Sequence, residues 1–305
     1  MRAIRIHRFG GPEVLQLDDI AVPSPKAGEV IVRVAAAGVN PVDYKIRAGG
    51  YPRVTEKDLP IILGRDICGT VQKSGAGPLQ EEVIALLGWE LGGYADFVAL
   101  PKSFCVRKPR TLSTVDAASI PLAALTAWQG LFDYGQLQAG QKVLIHAGSG
   151  GVGHFAVQFA AIRGAHVTST ASRDNLDFVR QLGAETVIDY TSQRFEDLVS
   201  DCDMVFDLVG GDTRKRSWAV LRRGGILVST LGQPDEDEAA QRGVRAKGYM
   251  AQPNASQLAD IIGLIEQGKV RPVVTRTFGL DEAAAAQRFL EKQHPRGKVV
   301  LAVQT

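Results

Sequence analysis

The sequence predicts an α/β protein with a doubly wound parallel sheet and a second, β-rich part. Three observations carry that reading. From about residue 113, short buried strands alternate with helical segments, the order that produces a parallel sheet covered on both faces. The residues before that point read instead as short strands cut by Gly and Pro. A glycine-rich turn, Gly148-Ser-Gly-Gly-Val-Gly153, stands between one of the buried strands and a helix.

Along the chain, Ala3–His7 is strand-like and Glu29–Ala36 alternates as a half-buried strand. Ile61–Val71 is an apolar run broken by Gly64 and Gly69, and Tyr94–Leu100 makes one more strand. Pro23, Pro25, Pro41, Pro52 and Pro60 disfavour long helices here. Asp116–Tyr134 is rich in Ala and Leu, a helical composition interrupted by Pro121. Lys142–Ala147 is a buried strand, and Gly151–Arg163 is a helix with Val152, Phe155, Ala156 and Phe159 at helical spacing. His166–Ala171 and Asp174–Leu182 repeat the strand–helix pair. Thr186–Asp189, Met204–Val209 and Gly225–Thr230 are further buried strands, and Leu258–Ile265 is an apolar helix. After Gly268 come a strand (Val273–Phe278), a helix (Asp281–Lys292) and a last strand (Lys298–Val303). The acidic run Pro234–Glu238 is expected to be a solvated loop.

Composition bounds the function. The 305 residues have room for about two domains, and 45% hydrophobic with 22% charged residues exclude a disordered chain. A net charge of +2 gives no bulk electrostatic ground for binding nucleic acid or a membrane surface. Cys68, Cys105 and Cys202 lie far apart, which suits a reducing compartment rather than a disulfide framework or a zinc cluster. No apolar run approaches the ~20 residues of a membrane span, and the start lacks a signal-peptide core. The expectation is a cytoplasmic protein.

Gly148, Gly150 and Gly153 form G-x-G-x-x-G in the strand-to-helix context that gives the pattern meaning. Gly148 permits the tight turn, Gly150 lets backbone approach a pyrophosphate, and Gly153 lets the helix pack closely on the strand. The helix N-terminus then presents N–H groups to the phosphates. The plain alternative is a strand-to-helix turn that happens to need glycine. Cofactor choice turns on the end of the second strand, where an NAD enzyme places a carboxylate on the ribose. Here HVTSTA runs into Ser172 and Arg173, a hydroxyl and a guanidinium suited to a 2′-phosphate. NADP(H) is favoured; the bland reading of Arg173 is a solvated residue opening a helix.

Several ordered stretches now stand together: FGGPEVL at Phe9–Leu15, AAGVNPVDYKIRAG at Ala36–Gly49, LGRDICGTV at Leu63–Val71 and GGYADFV at Gly92–Val98. They continue with IPLAALTAWQGL at Ile120–Leu131, HAGSGGVGHFAVQFA, VIDY at Val187–Tyr190, DLVGG at Asp207–Gly211 and GKVVL at Gly297–Leu301. Over nearly its whole length the chain resembles the medium-chain dehydrogenase/reductase superfamily, in its zinc-free quinone-oxidoreductase (zeta-crystallin-like) branch. The resemblance implies a GroES-like catalytic domain (1–112 and 268–305) interrupted by a Rossmann NADP-binding domain (113–267), with the active site in the cleft between them. Zinc relatives carry Cys and His ligands where this chain has Asn40 and Arg65, and the four-cysteine lobe is missing, so no metal is expected. The stretch Gln72–Leu91 is shorter than the family pattern and suggests a trimmed edge.

By the same resemblance, the loop holding Asn40, Tyr44 and Lys45 lies beside the nicotinamide ribose, which makes these three the catalytic candidates. Asn40 would hydrogen-bond cofactor or substrate, against a turn-forming Asn before Pro41. Lys45 could equally face solvent. Thr126 would contact the nicotinamide, and Gly148, Ser149, Gly150, Gly151, Val152 and Gly153 would wrap the pyrophosphate. Tyr190 would join Ser172 and Arg173 at the ribose phosphate, Val209 and Leu231 would line the strand ends, and Lys298 would reach the cofactor or else face solvent. No histidine pairs by spacing, so none is assigned as a base. The leading expectation is an NADPH-dependent reductase of quinones or conjugated enones, working as a homodimer. The alternative is a non-catalytic NADPH-binding or sensing protein of the same fold.

Overall fold

A computed structural model describes residues 1–73 and 80–304, with the side chain of Lys73 excepted. Residues 74–79, within the stretch read as a trimmed edge, lie outside the described residues. The chain forms two compact units: Met1–Leu122 with Pro253–Gln267 and Pro272–Thr305, and Ala123–Gln252 with Gly268–Arg271.

The first unit is built on a seven-stranded sheet. Its order is Val274–Gly279, Lys298–Ala302, Glu29–Val39, Asp66–Lys73, Glu82–Leu86 and Val106–Arg107, with Phe97–Pro101 also pairing to Glu29–Val39. Only the first pair is parallel. A second sheet joins Leu15–Asp19, Arg2–Ile6 and Ile61–Ile62. Val32, Val34, Ile67, Leu100 and Leu301 are buried in one apolar core. Register decides what meets at the strand ends. Val299 lies opposite Val39 and Asp66 opposite Gly38, so Lys298, Asn40 and Asp66 arrive side by side.

The second unit carries six parallel strands in the order Thr186–Asp189, His166–Ala171, Lys142–Ile145, Cys202–Asp207, Leu221–Ser229 and Arg245–Gly248. The chain winds outward in one direction from Lys142–Ile145 and then restarts on its other side. That central strand is therefore the topological switch point, where such sheets bind ligands. The glycine-rich turn follows it directly.

Some elements differ from the sequence reading for identifiable reasons. Asp116–Tyr134 becomes two helices, Thr114–Ala118 and Pro121–Trp128, followed by a π-helical turn at Gln129–Tyr134. Pro121 cannot continue the first helix and instead opens the second. The acidic run is a correction: Asp235 caps a helix, Glu236–Gln241, by accepting the Glu238 N–H at 2.9 Å. Carboxylates there face the helix's positive end. Pro41, in the Pro-cut region, stands at the first position of a seven-residue helix, Pro41–Arg47. Leu15–Asp19, Glu82–Leu86 and the edge strand Arg245–Gly248 were not anticipated.

Candidate functional site

Each unit holds its own set of the expected residues. In the second, Ala147 adopts φ +55°, a left-handed conformation that a residue with a Cβ seldom takes, as the chain leaves the central strand. The Thr170 hydroxyl accepts the Ala147 N–H at 3.1 Å, and the Thr170 carbonyl accepts the Gly148 N–H at 3.0 Å. The three motif glycines differ in what enforces them. A Cβ on Gly148 would sit 2.1 Å from the Ser169 Oγ, and one on Gly153 would sit 2.1 Å from the Ala147 carbonyl oxygen. At Gly150 the nearest atom would be 3.4 Å away. Packing therefore demands the first and third glycines, while the second leaves an open cradle that a side chain would fill. The helix Gly153–Ile162 begins there with no side chain capping its first turn.

Ser172 and Arg173 follow the strand His166–Ala171 as expected. The Arg173 side chain is 78% exposed, with its Nε 3.5 Å from Asp189. Asp189, opposite Ala171 on the neighbouring strand, is a carboxylate the sequence reading gave no role. Both its oxygens are occupied, by the Thr191 hydroxyl and N–H and by the Ser192 hydroxyl, and these bonds hold its carboxyl below the usual range. The next residue, Tyr190, is exposed. The Ser172 hydroxyl accepts a bond from the Asn175 amide at 2.9 Å. Farther along the sheet, buried Asp207 accepts the Val209 and Gly210 N–H groups at 3.0 and 2.7 Å and the Ser229 hydroxyl at 2.8 Å. It thereby fixes the turn that leaves Val209 exposed. Ser229 in turn accepts the Leu231 N–H at 3.1 Å. Thr126 is buried, and its carbonyl accepts the Tyr249 hydroxyl.

In the first unit, Asn40, Asp66 and Lys298 form a buried polar cluster. The Lys298 ammonium donates to the Asn40 Oδ1 and to the Asp66 Oδ2, the latter at 3.1 Å. The Asn40 amide donates to the same Asp66 oxygen at 2.9 Å, and Asp66 Oδ1 accepts the Leu122 N–H at 2.5 Å. Asn40 is thus oriented from both ends of its amide. Asp43, fully buried, accepts the Asn40 N–H at 2.8 Å, the Tyr94 hydroxyl at 2.8 Å and the Gly64 N–H at 3.2 Å. Burial raises its carboxyl to about 6 against the lowering effect of those bonds. Tyr44 and Lys45, on Pro41–Arg47, are half-buried, and burial raises the Tyr44 phenol.

Residues 26–110 match the family described as the alcohol dehydrogenase GroES-like domain, and residues 182–301 that described as zinc-binding dehydrogenase. The NADPH-dependent alkenal/one oxidoreductase, chloroplastic, of Arabidopsis thaliana is 35% identical over 99% of this chain and 79% of its own length. The quinone oxidoreductase from Coxiella burnetii superposes with a TM-score of 0.94 at 36% identity, covering 100% of this chain and 99% of that one. The chain belongs to the medium-chain dehydrogenase/reductase superfamily, in its quinone-oxidoreductase branch. A mycobacterial member complexed with NADPH has a TM-score of 0.88 at 28% identity, covering 99% of this chain and 100% of its own.

Zinc relatives exist in this superfamily, but the residues at the corresponding positions of this chain are a poor donor set for a metal. Arg65 sends its guanidinium to the Leu87 carbonyl, at 2.8 and 2.6 Å, and Lys298 places an ammonium against Asp66 and Asn40. Only one of these groups is a usual zinc ligand, and two are cations. The set does not fit zinc. Three of the five histidines serve other ends. His146, lowered to about 4 by burial, lies between the Thr170 and Ser217 hydroxyls, while His7 and His166 make surface pairs with Asp18 and Glu185. Sequence reasoning passed over Asp66 and Asp207, although both stood in quoted motifs. A carboxylate beside buried apolar strand residues was the available signal.

Proposed function

We propose that this member of the superfamily is a zinc-independent, NADPH-dependent reductase of quinones or α,β-unsaturated carbonyls. The observation that carries the reading is the open cradle at Gly150, a glycine that the fold itself does not require. When bound, NADPH supplies hydride from its nicotinamide C4 to a quinone or to the β-carbon of an enone. Gly148, Ser149, Gly150, Gly151, Val152 and Gly153 hold the pyrophosphate against the N-terminus of Gly153–Ile162. Arg173, with Ser172 and Tyr190, receives the 2′-phosphate, and the exposure of Arg173 leaves its guanidinium free to turn toward that charge. Thr126, Val209 and Leu231 complete the cofactor surface of the second unit.

In the first unit, Lys298 and Asp66, an ion pair with each other, hold the Asn40 amide in one orientation. Asn40 is the first candidate donor toward an oxygen that gains electron density as hydride arrives. Tyr44 and Lys45 are the further candidate donors. The reading includes a homodimer and a reducing compartment such as the cytoplasm. Free cysteines support the compartment, and among the described residues no helix is long and apolar enough to cross a membrane.

Steady-state oxidation of NADPH with a panel of quinones and enones tests the proposal. Acceleration by at least one acceptor class, undiminished by a strong chelator, is expected. Tight NADPH binding with no acceptor accelerating its oxidation would favour a non-catalytic binding protein.

A further inference from the structure

His146 directly follows the central strand Lys142–Ile145, precedes the left-handed Ala147 and is fully buried. An imidazole so placed is costly unless its nitrogens are met, and here both are. Nδ1 lies 3.1 Å from the Thr170 hydroxyl and Nε2 lies 2.9 Å from the Ser217 hydroxyl. Phe195 packs edge-on against the ring with centroids 4.7 Å apart. The partners fix where three protons point. Ser217 ends the helix Gly211–Ser217, and its hydroxyl lies 2.7 Å from the Thr213 carbonyl. A carbonyl oxygen only accepts, so the Ser217 proton points there and the Ser217 oxygen accepts from the ring. Nε2 therefore carries the ring proton. Nδ1 keeps a lone pair, which the Thr170 hydroxyl meets with its own proton, while the Thr170 oxygen accepts the Ala147 N–H at 3.1 Å.

This line of bonds runs from the glycine-rich turn, through Thr170 and His146, to the helix that follows the turn at Val209 and Gly210. Thr170 grips the glycine-rich turn twice, by its hydroxyl at Ala147 and by its carbonyl at Gly148. Ala147 at φ +55° persists only while its surroundings fix it. We propose that His146, as the neutral Nε2–H tautomer, is a positioning residue for dinucleotide binding, aiming the Thr170 hydroxyl that holds the turn. A proton on Nδ1 would force the Thr170 proton away from the ring and strip it of its acceptor. The surroundings oppose that charge: burial dominates, Arg216 adds to it, and Asp207 and Glu196 act against it, which holds the imidazole at about 4. The inference rests on the turn receiving the cofactor's pyrophosphate. That group is common to NADPH and NADH, so the effect is shared by both, unlike that of a contact to the 2′-phosphate.

Nitrogen-15 spectra of the histidine rings, with the His146 signals assigned by their loss in His146→Asn, read the tautomer directly. The neutral Nε2–H form is expected at about pH 6, well above the ring's own value of about 4. Calorimetry gives the NADPH and NADH affinities of the same proteins. His146→Phe keeps a ring and deletes both bonds, and should weaken both dinucleotides by roughly tenfold with their ratio unchanged. Thr170→Val, which removes the hydroxyl at nearly constant shape, should do the same. His146→Asn, whose amide oxygen stands in for Nδ1, should return affinity to within about threefold of the wild type. If His146→Phe does not fold, Thr170→Val and the spectra decide. An Nδ1–H or doubly protonated ring at about pH 6, wild-type affinity in folded His146→Phe or Thr170→Val, or a changed NADPH/NADH ratio would overturn the inference and leave the cofactor reading standing. A wild type that binds neither dinucleotide would overturn both.

Discussion

Gly150 and Gly148 are separated by one residue yet do different work, which makes them a paired test. Gly150→Ala adds a Cβ with room to spare in the chain itself, so the variant should fold with an unchanged melting temperature while NADPH affinity falls by about tenfold or more. Gly148→Ala drives its Cβ toward the Ser169 Oγ and should lose stability first. Thermal melts and calorimetry on the two variants separate these outcomes; an unstable Gly150→Ala would place its requirement in packing instead. Asp43 offers a second test. Its folded pKa of about 6 lies above the unfolded value of 3.8, so in that window the folded chain holds a proton the unfolded chain has released. The contribution of Asp43 to stability therefore falls as pH rises from about 4 to 6, by an amount on the order of 3 kcal/mol. Asp43→Asn removes this dependence. Denaturant titrations should show the wild-type advantage over the variant shrinking across that window, and a flat difference would contradict the assignment.

At the scale of elements, pattern was legible where burial was uniform. The strands Lys142–Ile145, His166–Ala171 and Cys202–Asp207 are mostly buried because helices cover both faces of a parallel sheet, and their positions could be read to within two residues. Arg245–Gly248 could not, since an edge strand of Arg, Ala, Lys and Gly carries no such signal. Asp235 hid for a related reason, because an acidic run looks the same in a loop and in the first turn of a helix. Asp235→Ala should cost about 1 kcal/mol through the lost cap, read as a small drop in melting temperature. Asp207 has the larger reach. Removing its carboxylate in Asp207→Ala leaves the Val209 and Gly210 N–H groups and the Ser229 hydroxyl without their acceptor, and the turn carrying Val209 loses its anchor. NADPH affinity should weaken while the circular dichroism spectrum stays unchanged, a split that a general loss of fold would not produce.

For the whole molecule, the two-part organisation and the glycine fingerprint were readable because each is a local pattern. The polar cluster of the first unit was not, since Asn40, Asp66 and Lys298 meet only through the register of three strands far apart in sequence. Asp189 escaped in the same way: a neighbouring strand brings it to Arg173. That pairing bears on the central claim, because Arg173 now has a carboxylate neighbour within the protein as well as the expected phosphate of the ligand. Asp189 is already held by Thr191 and Ser192, so the guanidinium remains available. The most direct measurement is the ratio of NADPH to NADH dissociation constants in the wild type and in Arg173→Ala. A charge-assisted contact is worth roughly 1.5–3 kcal/mol, so the variant should weaken NADPH by about tenfold to a hundredfold and leave NADH nearly unchanged. An unchanged ratio would contradict the account, leaving Arg173 as the partner of Asp189 alone.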